Sequence, residues 1–149
     1  MNEISVLLFL IPRILIAILC GIIIGLEREL KNKVAGIRTH VLVCVGVTIF
    51  AAIPMILNIS NIDPTRVIGQ ICTGVGFLGA GVIFRNDDKI VGVTSAAFIW
   101  FIASVGVLIG VGYFITPVII TLGLLLTSYI LSKVETKIFN YLKKKKENS

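Results

Sequence analysis

Four acidic side chains could provide oxygen ligands for a cation, and they occur in two short stretches of the sequence. Glu27 and Glu29 lie in ERELKNK, at the end of the first apolar run, and Asp87 and Asp88 lie in the later loop RNDDKIVG. Carboxylate oxygens suit magnesium, which keeps several waters and uses only one or two carboxylates. The Asn-Asp composition of the second stretch favours a polar turn instead. The sequence therefore permits a magnesium ion here but requires no cofactor.

Cations and a histidine follow the first acidic stretch at a short distance. Arg28 lies between the two glutamates, and Arg38, Thr39 and His40 come directly before the second apolar run. If KNKVAG turns back on itself, carboxylates and cations from two helix ends meet as partly desolvated ion pairs, for example Glu27 with Arg38. Such pairs can fix how two helices dock, or they can form a functional polar site. His40 is the single histidine, so a histidine-based metal cluster cannot form within one chain.

The stretch TGVGFLGAGVIF contains G-x-G-x-x-G at Gly74, Gly76 and Gly79, a pattern typical of a dinucleotide-binding turn. That turn needs a strand before the glycines, an amphipathic helix after them and an acid about 20 residues further on. None of these features is present, so we expect no nucleotide cofactor. The chain also has no nucleophile-base pair, and we expect no enzymatic activity.

The composition indicates a membrane protein. The 149 residues are 56% apolar and only 15% charged, with a mean hydropathy of +1.02, far from an ordinary soluble domain. We predict an all-α, polytopic integral membrane protein, a bundle of about five transmembrane helices in a lipid bilayer, and no nucleic-acid partner. The apolar segments are 14–26, 41–57, 67–84, 94–115 and 116–131.

The basic residues predict the orientation of these spans. Twelve of the 14 lysines and arginines lie in the first loop, the third loop and the C-terminal tail, which places those parts in the cytoplasm and the N-terminus outside. We predict a transmembrane domain at 1–132 and a basic cytoplasmic tail at 133–149. The tail forms either an interfacial helix on anionic lipid or a solvated stop-transfer segment.

Polar and small residues in the third and fourth segments need an explanation. Gln70 would be costly in hydrocarbon, so it should face another helix or a wet cavity. Small-residue spacing favours close helix packing, whereas several glycines in one helix favour unwinding near mid-membrane. We expect the third and fourth helices to touch closely. The glycines assigned to packing or unwinding are Gly74, Gly76, Gly79, Gly81, Gly106 and Gly110.

Three stretches together resemble the membrane domain of the MgtC/SapB family of bacterial inner-membrane proteins. They are AILCGIIIGLERELKNKVAGIRTHVLVCVG, GQICTGVGFLGAGVIF and VGVTSAAFIWFIASVGVLIGVGYF, covering about residues 17–114. VTSAAFIW stands where the family more usually reads close to LTTAATLW. The resemblance implies a short form of the family, without the further cytoplasmic domain that many members carry. By motif position it points to two groups of residues. The first is Glu27, Arg28, Glu29, Gly36, Arg38, Thr39 and His40, and the second, from the third segment, is Gly76, Phe77, Gly79 and Gly81.

The resemblance implies a link to magnesium homeostasis, in a family associated with growth at low magnesium and survival inside macrophages. Members are described as magnesium transporters or as modulators of other membrane machines, including the rotary ATP synthase. Two functions remain open for this chain. The first is a membrane-embedded regulatory or interaction protein that docks a membrane-protein partner or forms a homo-oligomer. The alternative is a component that transports magnesium or another cation, with a polar site at the cytoplasmic ends of the first three spans.

Overall fold

The computed structural model describes residues 2–57, 63–87 and 89–147, which form five helices and one short hairpin. The helices are α1 (Glu3–Leu30), α2 (Ile37–Leu57), α3 (Pro64–Gly81), α4 (Val93–Gly110) and α5 (Ile115–Glu147). The strands β1 (Phe84–Asn86) and β2 (Lys89–Val91) pair antiparallel between α3 and α4. The predicted all-α class is therefore confirmed, and the hairpin is a small addition to it.

Four of these helices are long and apolar enough to cross a bilayer: Glu3–Leu30, Ile37–Leu57, Val93–Gly110 and Ile115–Phe139. They confirm a polytopic membrane protein. Helix α3 has 18 residues, as α4 does, but Arg66, Gln70 and five glycines make it less apolar. Among the five described helices, α3 is the one that is not apolar enough to be a candidate span.

The helix ends follow local capping chemistry. The Asn2 side chain accepts a hydrogen bond from Ser5 N at 2.9 Å, so α1 begins well before the first apolar segment. Asp63 caps α3 by accepting from Thr65 N at 2.9 Å and from Thr65 Oγ1 at 2.7 Å. These bonds hold the pKa of the Asp63 carboxyl below its usual value. Helix α4 begins at Val93, because Gly92 turns the chain with φ of 95°.

The centre of the bundle consists of α1, α2 and α4, which approach through glycines. A Cβ at Gly25 would lie 2.5 Å from Ile37 Cα, and one at Gly21 would lie 2.6 Å from Val41 Cα. These two glycines are one helical turn apart and let α1 and α2 pack backbone to backbone. The buried core beside them contains Cys20, Ile24, Cys44, Ile102, Val105 and Ile109.

Helices α3 and α4 contact each other, but the glycines of α4 pack against α2. A Cβ at Gly106 would lie 2.7 Å from Cys44 O, and one at Gly110 would lie 2.6 Å from Ala51 Cβ. Thr48 Oγ1 donates to Gly106 O at 3.1 Å. Small residues on both helices permit this approach, and the buried threonine gains a carbonyl partner.

Helix α3 is continuous through its glycines and does not unwind. A Cβ at Gly74, Gly76 or Gly81 would meet nothing within 4 Å, and one at Gly79 would meet Ala96 Cβ at an ordinary 3.7 Å. Intrahelical hydrogen bonds satisfy the backbone without help from side chains, so glycines at these positions need not break the helix in an apolar environment. Most of the α3 glycines therefore lie on open faces.

Arg13 lies inside the bundle at the end where α4 finishes. Its Nη1 donates to Phe9 O at 2.8 Å and its Nε donates to Gly110 O at 3.3 Å. The guanidinium carbon lies 3.5 Å from the centroid of the Phe9 ring. A cation at the C-terminal carbonyls of α4 interacts favourably with the helix dipole. Arg13 thus joins α1 to the end of α4.

Helix α5 contacts α1 and α4 and continues beyond the predicted boundary at residue 132 as far as Glu147. The segment from 133 onwards is therefore helical where it is described. Its placement on lipid stays a prediction.

Candidate functional site

The polar residues at the end of α1 form a closed ion-pair cluster around one buried arginine. Arg28 is 2% exposed, and its Nη2 donates to Glu27 Oε1 at 2.7 Å while its Nε donates to Glu27 Oε2. The Arg28 guanidinium carbon lies 3.9 Å from the centroid of the Phe98 ring on α4. A bidentate carboxylate and an aromatic face are the partners that a desolvated guanidinium requires.

Glu27 is shared between a buried and an exposed cation. Lys31 Nζ lies 2.6 Å from Glu27 Oε1, one helical turn beyond it. The Glu27 side chain is 21% exposed, against 37% for Lys31 and 3% for Arg28. Both carboxylate oxygens are thus engaged by cations. Glu27 therefore pairs with Arg28 and Lys31, and not with Arg38 as the sequence allowed.

Glu29 caps the N-terminus of α2. Its Oε2 accepts a hydrogen bond from Ile37 N at 2.9 Å, so a carboxylate satisfies one of the free N–H groups at the start of the helix. A Cβ at Gly36 would lie 2.7 Å from this oxygen. The cap therefore depends on Gly36 having no side chain.

Removing this cap tests its contribution to stability. We expect Glu29→Ala to lower the free energy of unfolding by about 1 kcal/mol, the usual effect of losing a helix cap. Glu29→Gln should lose less, because its amide oxygen can still accept from Ile37 N. Unfolding of the purified protein in mixed detergent micelles, followed by circular dichroism, measures both. Equal losses in the two variants would contradict the hydrogen-bond assignment.

His40 is fully buried on α2, beside the same cluster. Its Nδ1 lies 2.8 Å from Gly36 O. Because a carbonyl oxygen only accepts, Nδ1 carries a proton, which fixes the orientation of the ring. The Nε2 atom has no hydrogen-bond partner among the described residues. His40 thus packs as an α2 residue that anchors the α1–α2 turn.

The remaining predicted site residues lie elsewhere. Arg38, Thr39 and Gln70 line a groove between α2 and α3. Asp87 is exposed in the hairpin turn with φ of 52°, and its carbonyl oxygen accepts from Arg85 Nε at 2.9 Å. Asp88 lies outside the described residues. The structure therefore divides the predicted polar site into a closed cluster and an open groove.

These residues provide little basis for a resident metal ion. Across the described ranges, no three or more His, Cys, Asp or Glu side chains are placed to hold a metal. The two glutamates nearest each other in sequence are already used, Glu27 by Arg28 and Lys31, and Glu29 by the α2 cap. An ion at Glu27 would have to compete with both cations.

Three further residues, none of them predicted from the sequence, build this end of the bundle. Phe98 supplies the aromatic face for Arg28, and no spacing in the sequence indicates that contact. Gly21 and Gly25 are predictable, because they show the same small-x-x-x-small spacing that indicates close packing in α3 and α4.

Comparison with known proteins decides the family. The sequence profile of the MgtC family matches residues 14–137. The chain belongs to the MgtC family. It is 43% identical over 113 residues to the "putative magnesium transporter YhiD" of Escherichia coli K12, covering 71% of this chain and 52% of that protein.

Two further relatives are named MgtC. The protein MgtC of Salmonella typhimurium is 38% identical over 128 residues, covering 86% of this chain and 54% of the relative. The protein MgtC of Brucella abortus is 44% identical over 96 residues, covering 64% and 40%. The chain thus spans about half the length of the curated relatives it matches. No solved structure matches it.

Proposed function

We propose that this MgtC-family chain is a membrane-embedded regulatory protein of magnesium homeostasis that acts by binding a membrane-protein partner through α3. The magnesium connection comes from the family, in which the relative from Escherichia coli is named a putative magnesium transporter. The proposal assigns no catalytic activity to the chain.

The observation that carries the proposal is the outward face of α3. Gly69, Thr73, Gly76 and Ala80 are all exposed and recur every three or four residues, so they lie on one face of the helix. A Cβ at Gly69 or Gly76 would meet nothing within 4 Å. Phe77 beside them is 81% exposed. Small residues of this spacing allow a second membrane helix to approach closely.

The contacts already made by the carboxylates of Glu27 and Glu29 favour regulation over direct transport. A cation pathway needs oxygen ligands that are free to exchange with a passing ion. The Glu27 oxygens are engaged by Arg28 and Lys31, and Glu29 is engaged by Ile37 N. These carboxylates are therefore better suited to holding α1, α2 and α4 together.

Transport of magnesium or another cation is the second candidate, and one observation favours it. Gln70 and Thr39 face an open groove beside α2, and their polar groups could contact a hydrated ion. Proteoliposomes loaded with a magnesium-sensitive dye distinguish the candidates. The regulatory proposal expects no magnesium flux above that of empty vesicles, and a flux that disappears in Gln70→Leu would instead support transport.

The outward face of α3 can be tested by growth at low magnesium. In a host that lacks its own MgtC-family gene, we expect Gly76→Leu to abolish the growth that the unmodified chain supports, because the new side chain fills the face that a partner helix contacts. Gly123→Leu is the matched control, since a Cβ at Gly123 on α5 also meets nothing within 4 Å.

The control separates docking from folding. Both variants should accumulate in the membrane at the level of the parent chain, because a Cβ at either glycine meets nothing within 4 Å. Normal growth with Gly76→Leu, or equal loss with Gly123→Leu, would contradict a specific partner surface on α3.

The proposed orientation in the bacterial inner membrane places the N-terminus outside and the C-terminus in the cytoplasm. The support is the distribution of basic residues. Twelve of the 14 lysines and arginines fall in the two predicted cytoplasmic loops and the tail. In this orientation the Glu27–Arg28 cluster lies at the cytoplasmic end of the bundle, and Arg13 lies at the opposite end.

A further inference from the structure

A groove of about 750 Å³ runs between α2 and α3 and is separate from the outward face of α3. This volume is typical of ligand sites in proteins, which span roughly 300–1,000 Å³. Buried Val47, Ile71 and Val75 form part of its floor, and the exposed side chains of Leu42 and Phe50 form part of its edge. An apolar groove whose edge is exposed on a membrane-spanning helix is accessible to lipid.

The length of the groove matches one leaflet of a bilayer. It extends along α2 from Arg38, in the first turn, to Phe50. Twelve residues of α-helix span about 18 Å. Half of the hydrocarbon core of a bilayer is about 15 Å thick. A single acyl chain can therefore lie along the groove with its polar end at the first turn of α2.

Arg38 supplies a free positive charge at that end. Its side chain is exposed, and within the described ranges its guanidinium makes no hydrogen bond or ion pair. Arg13 and Arg28, by contrast, are both held by partners inside the bundle. A guanidinium recognises phosphate with two parallel hydrogen bonds. The neighbouring Thr39 also lines the groove and offers a hydroxyl.

We propose that this groove binds an anionic phospholipid, with an acyl chain along α2 and α3 and the headgroup phosphate against Arg38. The apolar walls accept the chain, and the unpaired arginine at the membrane face selects the charge. The lipid would fill the space between two helices that otherwise contact each other little along the groove, and so set the position of α3 relative to α2.

Lipid titration followed by native mass spectrometry tests the site. Delipidated protein is titrated with phosphatidylglycerol and, separately, with phosphatidylcholine of the same acyl chains. We expect phosphatidylglycerol to bind more tightly, and Arg38→Gln to remove at least about fivefold of that preference, the effect of one basic side chain at an anionic surface. Lys33→Gln is the matched control, because Lys33 is exposed in the preceding loop but does not line the groove.

A second variant fills the groove without touching the charge. Gly74 lines the groove, and a Cβ there would meet nothing within 4 Å, so Gly74→Leu should fold and weaken the binding of both lipids. Gly123→Leu should bind them as the parent does. Equal lipid preference in Arg38→Gln and Lys33→Gln would overturn the proposal. So would a self-associating chain whose dimer is lost in Gly74→Leu while lipid binding is unchanged, because a second copy would then occupy the groove.

Discussion

Glu27→Ala should destabilise the protein by roughly 3–5 kcal/mol, the loss expected when one partner of a buried ion pair is removed. The reason is Arg28, which is 2% exposed and would keep its charge without a carboxylate. Its stacking on Phe98 cannot replace two charge-assisted hydrogen bonds. The measurement is the free energy of unfolding in mixed detergent micelles.

The second cation on the same carboxylate provides a matched control. Lys31 also pairs with Glu27, but its side chain is 37% exposed. An exposed ion pair contributes about 0–1 kcal/mol, so Lys31→Ala should change stability little. If Lys31→Ala and Glu27→Ala are equally damaging, the buried arginine is not the cause.

A double variant separates the unpaired charge from the lost contact. Replacing Arg28 with methionine leaves an apolar side chain in the same space. The variant Glu27→Ala with Arg28→Met should therefore be more stable than Glu27→Ala alone, because no charge remains buried. A double variant as unstable as the sum of its single changes would show that the contacts, and not the charge, stabilise this end of the bundle.

The Glu27–Arg28 cluster also shows how far sequence reasoning reaches. If KNKVAG turns back, the charged residues at the end of the first span are predicted to meet the start of the second, and in the structure Glu29 Oε2 accepts from Ile37 N. The pairing within the group could not be predicted. The sequence allows Glu27 to pair with either Arg28 or Arg38, and no spacing in it indicates that Arg28 lies over the Phe98 ring of α4.

The presence of the helices is easier to predict from the sequence than the faces through which they pack. Apolar runs indicated the helices because a bilayer demands long apolar segments with internally paired backbones. The glycine spacing is the same on α3 and α4, yet Gly110 contacts α2 and Gly76 faces open space. Small-residue spacing says that a helix can be approached closely, but not which neighbour approaches it. The complementary small residues of α2, above all Ala51, decide that for α4.

The close approach of α2 and α4 leads to a prediction of comparable size. Gly106→Ala and Gly110→Ala should each destabilise the protein by about 1–3 kcal/mol, because the added methyl groups overpack the helix contact. At Gly110 the new Cβ would lie 2.6 Å from Ala51 Cβ and 2.7 Å from Thr48 O. At Gly106 it would lie 2.7 Å from Cys44 O, a backbone atom that moves only with α2 itself. The double variant should therefore force α2 and α4 apart and prevent normal accumulation in the membrane.

Two further variants identify the cause of this loss. Gly46→Ala adds a methyl group to α2 where nothing lies within 4 Å, so it should leave stability unchanged or slightly raise it, since alanine favours the helix over glycine. Adding Ala51→Gly to Gly110→Ala removes the closest clash but keeps the one with Thr48 O, so it should restore only part of the stability. Full tolerance of Gly110→Ala would contradict the close α2–α4 contact that the α4 glycines form.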